Sequence, residues 1–299
     1  MVLMVGLILI STPVVGTQAP LNVIASTPDL ASIAESVGGD RITVRSLARG
    51  TEDPHHVHAR PSFIRLLHEA DALVHGGAGL EWGWLYPLIQ SSRNNRILPG
   101  RPGLIGAGAG VELVDVATGL PAGIRQSGNP HFLLDPRNAK IVAANLAERL
   151  AVLDPDGRSA FEKNALLFKE EIDRRMEGWR TTLAPYEGTR VVTYHRNYDY
   201  FARAFGLIVH DTLEPLPGIE PTPRHLAALI PSMKEHRVRL IVMEPFRSAR
   251  AAERVANETG AVIVRLPELV GGAPEIDDYF ALIDYNVRQV SRALENLSP

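Results

Sequence analysis

The stretch 156-DGRSAFEKNALLFKEEIDRRMEGWRTTLAPY-186 decides how this chain is organised. Apolar residues recur in it every three or four positions, and charged residues lie between them. The recurring apolar residues are Phe161, Ala165, Phe168, Ile172, Met176, Trp179 and Leu183. This spacing predicts one long amphipathic helix whose apolar stripe packs against other elements along its length.

Short buried strands alternate with helices on both sides of this helix. Before it, we expect strands at 21–25, 42–47 and 72–75 and helices at 28–37, 61–73 and 140–152. After it, we expect strands at 190–194, 207–213, 240–244 and 261–266, helices at 225–236 and 249–259, and a final helix from 277. Alternation of this kind is typical of a mostly parallel sheet. The segment 99–128, rich in Gly and Pro, is predicted to be a long loop.

The predicted fold class is therefore α/β, with two lobes joined by one long linker helix. Each lobe has a mostly parallel sheet flanked by helices. A length of 299 residues suits two such domains. The expected units are a signal peptide at 1–19, an N-terminal lobe at 20–155, the linker helix at 156–186 and a C-terminal lobe at 187–299.

Composition excludes several classes of function. Hydrophobic residues make up 45% of the chain and the formal net charge is only -3, so the basic excess of a nucleic-acid-binding protein is absent. The chain contains no cysteine, which rules out disulfides, thiolate metal ligands, cysteine nucleophiles and lipid attachment through cysteine. Any metal site must use His, Asp and Glu.

The first residues predict export to the periplasm. Residues 1–15 form an almost unbroken apolar run, and the small residues Thr17 and Ala19 that follow suit a secretory cleavage site. No Lys or Arg precedes the run, which departs from the usual signal peptide. The run is shorter than the ~20 residues that a bilayer crossing needs. A buried N-terminal strand or helix is the alternative interpretation.

Three loops combine a histidine with a strand end or a proline. The first, 50-GTEDPHHVH-58, follows the second predicted strand; the second, 129-NPHFLLDPRN-138, leads into a helix; the third, 191-VVTYH-195, closes a strand. Ligands of open α/β sheets gather at the carboxyl ends of the strands. Zinc favours neutral imidazole and takes four ligands. We therefore expect His55 and His131 of the first lobe and His195 of the second to hold one metal ion.

The three loops resemble those of the solute-binding proteins of zinc and manganese ABC importers, and the resemblance spans nearly the whole chain after the leader. It rests on Asp53-Pro54-His55 with Arg60-Pro61-Ser62, Asn129-Pro130-His131 with Leu134-Asp135-Pro136, and Tyr194-His195 with Tyr200-Phe201. The resemblance implies a non-enzymatic, monomeric protein that holds one metal ion between two lobes. It also implies delivery of the ion to an ABC permease in the inner membrane, with a metallochaperone as a further candidate partner.

The fourth ligand is where the chain departs from that family. The family often has an Asp at the end of the last strand, where this chain has Leu266-Pro267-Glu268, and Pro267 cannot coordinate through its side chain. The remaining candidates are Glu214, which also follows a strand, Glu268 and a water molecule. We favour Glu214, although a carboxylate paired with a nearby arginine explains that residue equally well.

Other functions fit three histidines in principle. Nitrogen donors favour zinc over manganese, so a manganese-binding protein of the same type is the nearest alternative. Three imidazoles with an open position also suit a zinc hydrolase. However, ligands from two lobes suit capture and release, and no HExxH helix or nucleophile elbow is present. A haem or siderophore carrier of similar build would need a larger pocket.

Overall fold

A computed structural model describes residues 19–114 and 128–297, and in these ranges the chain forms two α/β lobes. The predicted signal peptide, apart from Ala19, lies outside the described residues. No helix within the described ranges has both the length and the apolar character needed to cross a membrane.

The first lobe contains a four-stranded sheet in the order β2-β1-β3-β4, and every neighbouring pair is parallel. Its strands are β1 (Leu21–Ala25), β2 (Ile42–Ser46), β3 (Ala72–His75) and β4 (Leu104–Gly106). Its helices are α1 (Pro28–Gly38), α2 (Pro61–Glu69), α3 (Leu85–Ser92) and α4 (Pro136–Leu153). Helix α3 was not predicted from the sequence.

Strand β4 lies inside the segment predicted to be a long loop, so that prediction was wrong for these residues. Leu104 and Ile105 are aligned with Leu73 and Val74 of β3. The strand can approach closely because a side chain at Gly103 would collide with the carbonyl oxygens of Asp71 and Arg96. Two apolar residues between glycines are too short a run to show the alternation that identifies a strand.

The second lobe repeats this arrangement with a parallel sheet in the order β6-β5-β7-β8. Its strands are β5 (Arg190–Thr193), β6 (Ile208–Thr212), β7 (Leu240–Met243) and β8 (Val262–Arg265). Leaving aside the linker helix α5, its helices are α6 (Asp199–Phe205), α7 (Pro223–Glu235), α8 (Arg250–Thr259) and α9 (Tyr279–Glu295). These elements confirm the predicted α/β class with two mostly parallel sheets.

Between the lobes runs α5 (Arg158–Leu183), with a 3-10 turn at each end, Pro155–Gly157 and Ala184–Tyr186. Its 26 residues span about 39 Å at 1.5 Å per residue. All seven residues of the predicted apolar stripe are buried. The helix packs against α1 and α4 of the first lobe and against α9, which confirms the predicted long linker helix.

Helix α9 is a second connection between the two lobes, in addition to α5. At its start, the Tyr279 amide donates to Oγ of Ser32 at 3.0 Å, and the Tyr279 hydroxyl donates to the Leu133 carbonyl at 2.6 Å. Both acceptors belong to the first lobe, although α9 follows the second sheet in the chain. The domain bounds expected from the sequence stay a prediction.

Candidate metal centre

The three predicted histidines come from loops at the facing edges of the two lobes. His55 lies between β2 and α2, His131 directly precedes the 3-10 turn Phe132–Leu134 that leads into α4, and His195 lies two residues after β5. The loops after β2 and β5 begin at the carboxyl ends of their strands, where parallel sheets place ligand-binding residues.

The structure brings these three imidazoles together. Nε2 of His55 lies 3.0 Å from Nε2 of His131. The ring centroids are separated by 5.0 Å for His55 and His131, 5.3 Å for His55 and His195, and 5.2 Å for His131 and His195. One nitrogen from each ring lies within 4.8 Å of the others. Within residues 19–114 and 128–297, no other cluster of three or more His, Asp or Glu has this geometry.

The centre is secluded and small. His131 and His195 are buried and His55 is half-buried. The cavity bounded by the three imidazoles, Asn129, Arg196 and two prolines measures about 10 Å³. That volume is on the scale of a single water molecule or ion.

Two hydrogen bonds hold the loop that carries His55. Oδ1 of Asp53 accepts a hydrogen bond from the His55 amide at 2.9 Å. The indole of Trp84 donates to the Pro54 carbonyl at 2.9 Å, which fixes the loop to the segment before α3. His56, by contrast, points to solvent and pairs with Asp53 at 3.3 Å.

His131 is held through both its backbone and its ring. Its amide donates to Oδ1 of Asn129 at 3.0 Å, and the Asn129 amide group donates to the Arg196 carbonyl at 2.5 Å. Nδ1 of His131 lies 3.1 Å from Oε2 of Glu268, which also accepts from Asn197 at 3.0 Å. Glu268 thus occupies Nδ1 and leaves Nε2 of His131 facing the centre.

His195 has a similar partner in Glu214. Nδ1 of His195 lies 2.7 Å from Oε2 of the buried Glu214 carboxylate. Metal-binding histidines commonly donate their second ring nitrogen to a carboxylate in this way, which fixes the tautomer and the ring orientation. Glu214 and Glu268, the two carboxylates considered as a fourth ligand, therefore lie behind the imidazoles rather than among the three converging nitrogens.

The pKa values of His55 and His195 are shifted in opposite directions. Burial, followed by repulsion from the rings of His131 and His195, lowers the pKa of His55 well below 6.5. Burial alone would also lower the pKa of His195, but the hydrogen bond and charge of Glu214 raise it above that value. Without a bound ion, His55 is therefore neutral at pH 7, whereas His195 holds a proton more readily than an ordinary histidine.

Two charged residues near the centre, Glu244 and Arg247, were not predicted from the sequence. Glu244, at the end of β7, is fully buried, and burial together with repulsion from Glu268 raises its pKa to about 7. Arg247 lies three residues further on, among Asp53, Glu214 and Glu244. Both follow a strand end, as His195 does, so the rule that led to the histidine loops also applied to 244-EPFR-247.

Comparison with known proteins agrees with this architecture. The family model described as "ZnuA: Zinc-uptake complex component A periplasmic" matches residues 23–293. The manganese ABC transporter substrate-binding lipoprotein PsaA of Streptococcus pneumoniae serotype 4 (strain ATCC BAA-334 / TIGR4) is 23% identical over 284 residues, which cover 92% of this chain and 89% of PsaA. The metal ABC transporter substrate-binding lipoprotein SsaB of Streptococcus sanguinis is 24% identical over 93% of this chain and 90% of SsaB.

Solved structures show the same fold. A crystal structure of ZnuA superposes with a TM-score of 0.79 at 27% identity, covering 92% of this chain and 99% of that one. The manganese-bound form of a periplasmic metal-binding protein from Candidatus Liberibacter asiaticus gives a TM-score of 0.76 at 22% identity, covering 91% of this chain and 98% of that one. The family resemblance expected from the three histidine loops is confirmed, and the chain belongs to the ZnuA family, that of the periplasmic component A of zinc-uptake complexes.

Proposed function

We propose that this protein captures a zinc ion with His55, His131 and His195 and delivers it to an ABC import permease. Metal binding in the service of an ABC transporter is the function of its family. The observation that carries the assignment to these residues is the approach of three imidazoles from two lobes, with two Nε2 atoms only 3.0 Å apart. Tetrahedral zinc with bonds of 2.0–2.1 Å would space its nitrogen ligands by about 3.3 Å.

The donor set favours zinc over manganese. Three nitrogen donors suit zinc, whereas manganese prefers carboxylate and water oxygen. The relatives are named for both metals: PsaA for manganese and ZnuA for zinc. In this chain the nearby carboxylates of Glu214 and Glu268 are engaged with imidazole Nδ1 atoms. We therefore assign them an orienting role, in place of the fourth-ligand role expected for Glu214, and leave the fourth position to water.

The place of action is outside the cytoplasm, as for the substrate-binding relatives. An ABC permease is the partner that the family implies. We propose that the protein works as a monomer in the periplasm. Loading of the site by a metallochaperone stays a prediction.

Two alternative functions lose their support. A three-histidine zinc hydrolase is excluded because the relatives are named as substrate-binding proteins of transporters rather than as enzymes. The cavity of about 10 Å³ between the imidazoles argues against a haem or siderophore as cargo.

Metal analysis followed by competitive titration tests the proposal. The purified protein is analysed by mass spectrometry for bound metal, stripped, and titrated with zinc and with manganese against a chromogenic chelator. We expect one zinc per chain and a higher affinity for zinc than for manganese. A tighter manganese complex would overturn the choice of metal, and absence of binding at micromolar concentrations of either metal would overturn capture itself.

A further inference from the structure

The side chain of Arg247, in the loop after β7, contacts acidic residues from both lobes. Its Nη2 lies 3.5 Å from Oδ2 of Asp53, in the first lobe. Its Nη1 lies 3.2 Å from Oε1 of Glu214, and its Nε lies 3.6 Å from Oε2 of Glu244, both in the second lobe. One cation therefore spans the interface between the lobes beside the candidate metal centre.

The surroundings of Arg247 hold this side chain in place. Only 16% of the side chain is exposed, and its guanidinium carbon lies 5.5 Å from the ring centre of Tyr194 and 5.4 Å from that of Phe246. Arginine stacks on aromatic faces in this way. Burial alone would lower the pKa of Arg247, but the carboxylates around it raise the pKa, so the side chain stays charged.

The two carboxylates on either side of Arg247 share one pattern of contacts. Oδ2 of Asp53 pairs with Arg247, and Oδ1 accepts a hydrogen bond from the His55 amide at 2.9 Å. Oε1 of Glu214 pairs with Arg247, and Oε2 lies 2.7 Å from Nδ1 of His195. Arg247 is thus one contact away from a proposed ligand in each lobe.

We propose that Arg247 is a positioning residue that clasps the two lobes across the metal centre and slows release of the captured ion. This inference rests on the proposed function. Separation of the lobes must break the contact between Arg247 and Asp53, while Glu214 and Glu244 stay with Arg247. The half-buried position makes this ion pair stronger than one exposed on the surface.

Zinc release from the loaded full-length protein tests the clasp. Protein carrying one zinc is mixed with an excess of the chromogenic chelator 4-(2-pyridylazo)resorcinol, and the rate of zinc transfer is followed by absorbance. We expect Arg247→Gln to release zinc at least ~10-fold faster than the wild type, with Arg247→Lys between the two. Arg250→Gln, an exposed arginine at the start of α8, is the matched control and should behave as the wild type.

A double-mutant cycle separates the clasp from a general loss of structure. Asp53→Asn should also speed release, and the double variant Arg247→Gln/Asp53→Asn should be no faster than the faster single variant, because both remove the same contact. Wild-type release rates in both single variants, or effects that simply add, would overturn the clasp and leave metal capture standing. A wild-type protein that binds no zinc would overturn both proposals together.

Discussion

At the scale of single residues, the candidate centre is built from three imidazoles and two carboxylates that aim them. Glu214 and Glu268 each engage Nδ1 of one ring, so Nε2 of His131 and of His195 is left as the donor nitrogen. His55 differs, because it is held through its backbone amide by Asp53 rather than through its ring. The three side chains should therefore respond differently to changes in their surroundings.

Single replacements of the proposed ligands should weaken zinc binding. Changing His55, His131 or His195 to Ala removes one of three nitrogen donors, and we expect the dissociation constant to rise at least ~10-fold, or about 1.4 kcal/mol. Competition titration against a chelator measures this change. His236→Ala, at the exposed end of α7, is the control and should leave affinity unchanged. Wild-type affinity in any of the three variants would remove that histidine from the ligand set.

Zinc affinity should fall as pH decreases, beginning above pH 6.5. Zinc binds neutral imidazole only, and the pKa of His195 in the metal-free protein is raised by Glu214. A proton must leave His195 before zinc can bind, so protons compete at a higher pH than they would for an ordinary histidine. The pKa of His55 is lowered, so His55 stays neutral over this range.

The variant Glu214→Gln isolates this effect. Loss of the carboxylate charge lowers the pKa of His195, so the pH at which affinity begins to fall should move down. At the high-pH end of the titration, affinity should still be about 10–100-fold weaker because the ring is less well oriented. Titrations from pH 5.5 to 8.5 measure both changes. An unchanged pH profile would mean that Glu214 does not control the charge of His195.

At the scale of elements, the fold and the three histidines could be predicted from sequence where a pattern was long or repeated. Helix α5 was predictable because seven apolar residues recur along a helix of 26 residues. His55, His131 and His195 were predictable because their loops share a context. Strand β4 has only Leu104 and Ile105 between glycines, so it left no periodic signal. The contacts of Arg247 and Glu268 depend on how the lobes meet, which local patterns do not encode.

Helix α1 carries a buried carboxyl group near its N-terminus. Asp29 is 5% exposed, and its Oδ1 has no hydrogen-bond partner within the described residues. Burial raises the pKa of Asp29 from 3.8 to about 6, and the smaller opposing effects of the Thr27 side chain and of nearby backbone amides do not offset it. The ionised form is therefore disfavoured in the folded protein.

We expect Asp29→Asn to stabilise the metal-free protein at pH 8 and to have little effect at pH 4. Below pH 3.8 the side chain is protonated in both the folded and the unfolded chain. As pH rises through about 6, the folded wild type must ionise a buried group, at a cost of up to roughly 3 kcal/mol. Thermal unfolding of both proteins at the two pH values measures the difference. A variant less stable than the wild type at pH 8 would show that the ionised Asp29 stabilises the fold.

At the scale of the whole molecule, the lobes meet at several points around the centre. Asn129 joins the loop of His131 to the Arg196 carbonyl, and the Tyr200 hydroxyl donates to the Asn129 carbonyl at 2.8 Å. On another side, the backbone of Gly50, just before the loop of His55, packs against that of Val270 and Gly271. We expect these close approaches to set how near the three imidazoles come to one another.

Gly50→Ala should therefore weaken zinc binding without unfolding either lobe. A methyl group at this position would collide with backbone atoms of Val270 and Gly271, which cannot rotate away as a side chain could. The lobes must then separate slightly. Overpacking of this kind typically destabilises a structure by 1–3 kcal/mol. We expect about a tenfold or greater loss of zinc affinity, together with a larger radius of gyration of the zinc-loaded protein in X-ray solution scattering.

Gly178→Ala is the matched control for this change. Gly178 lies in the interior of α5, and nothing lies within 4 Å of the position that its added methyl group would occupy. Alanine is preferred over glycine inside a helix by roughly 0.5–1 kcal/mol, so this variant should be slightly more stable and should bind zinc as the wild type does. If Gly50→Ala also bound zinc with wild-type affinity, the separation of the lobes at this contact would not control how the three imidazoles meet, and the geometry of the centre would have to be set by the bridge through Asn129 and by α5 and α9.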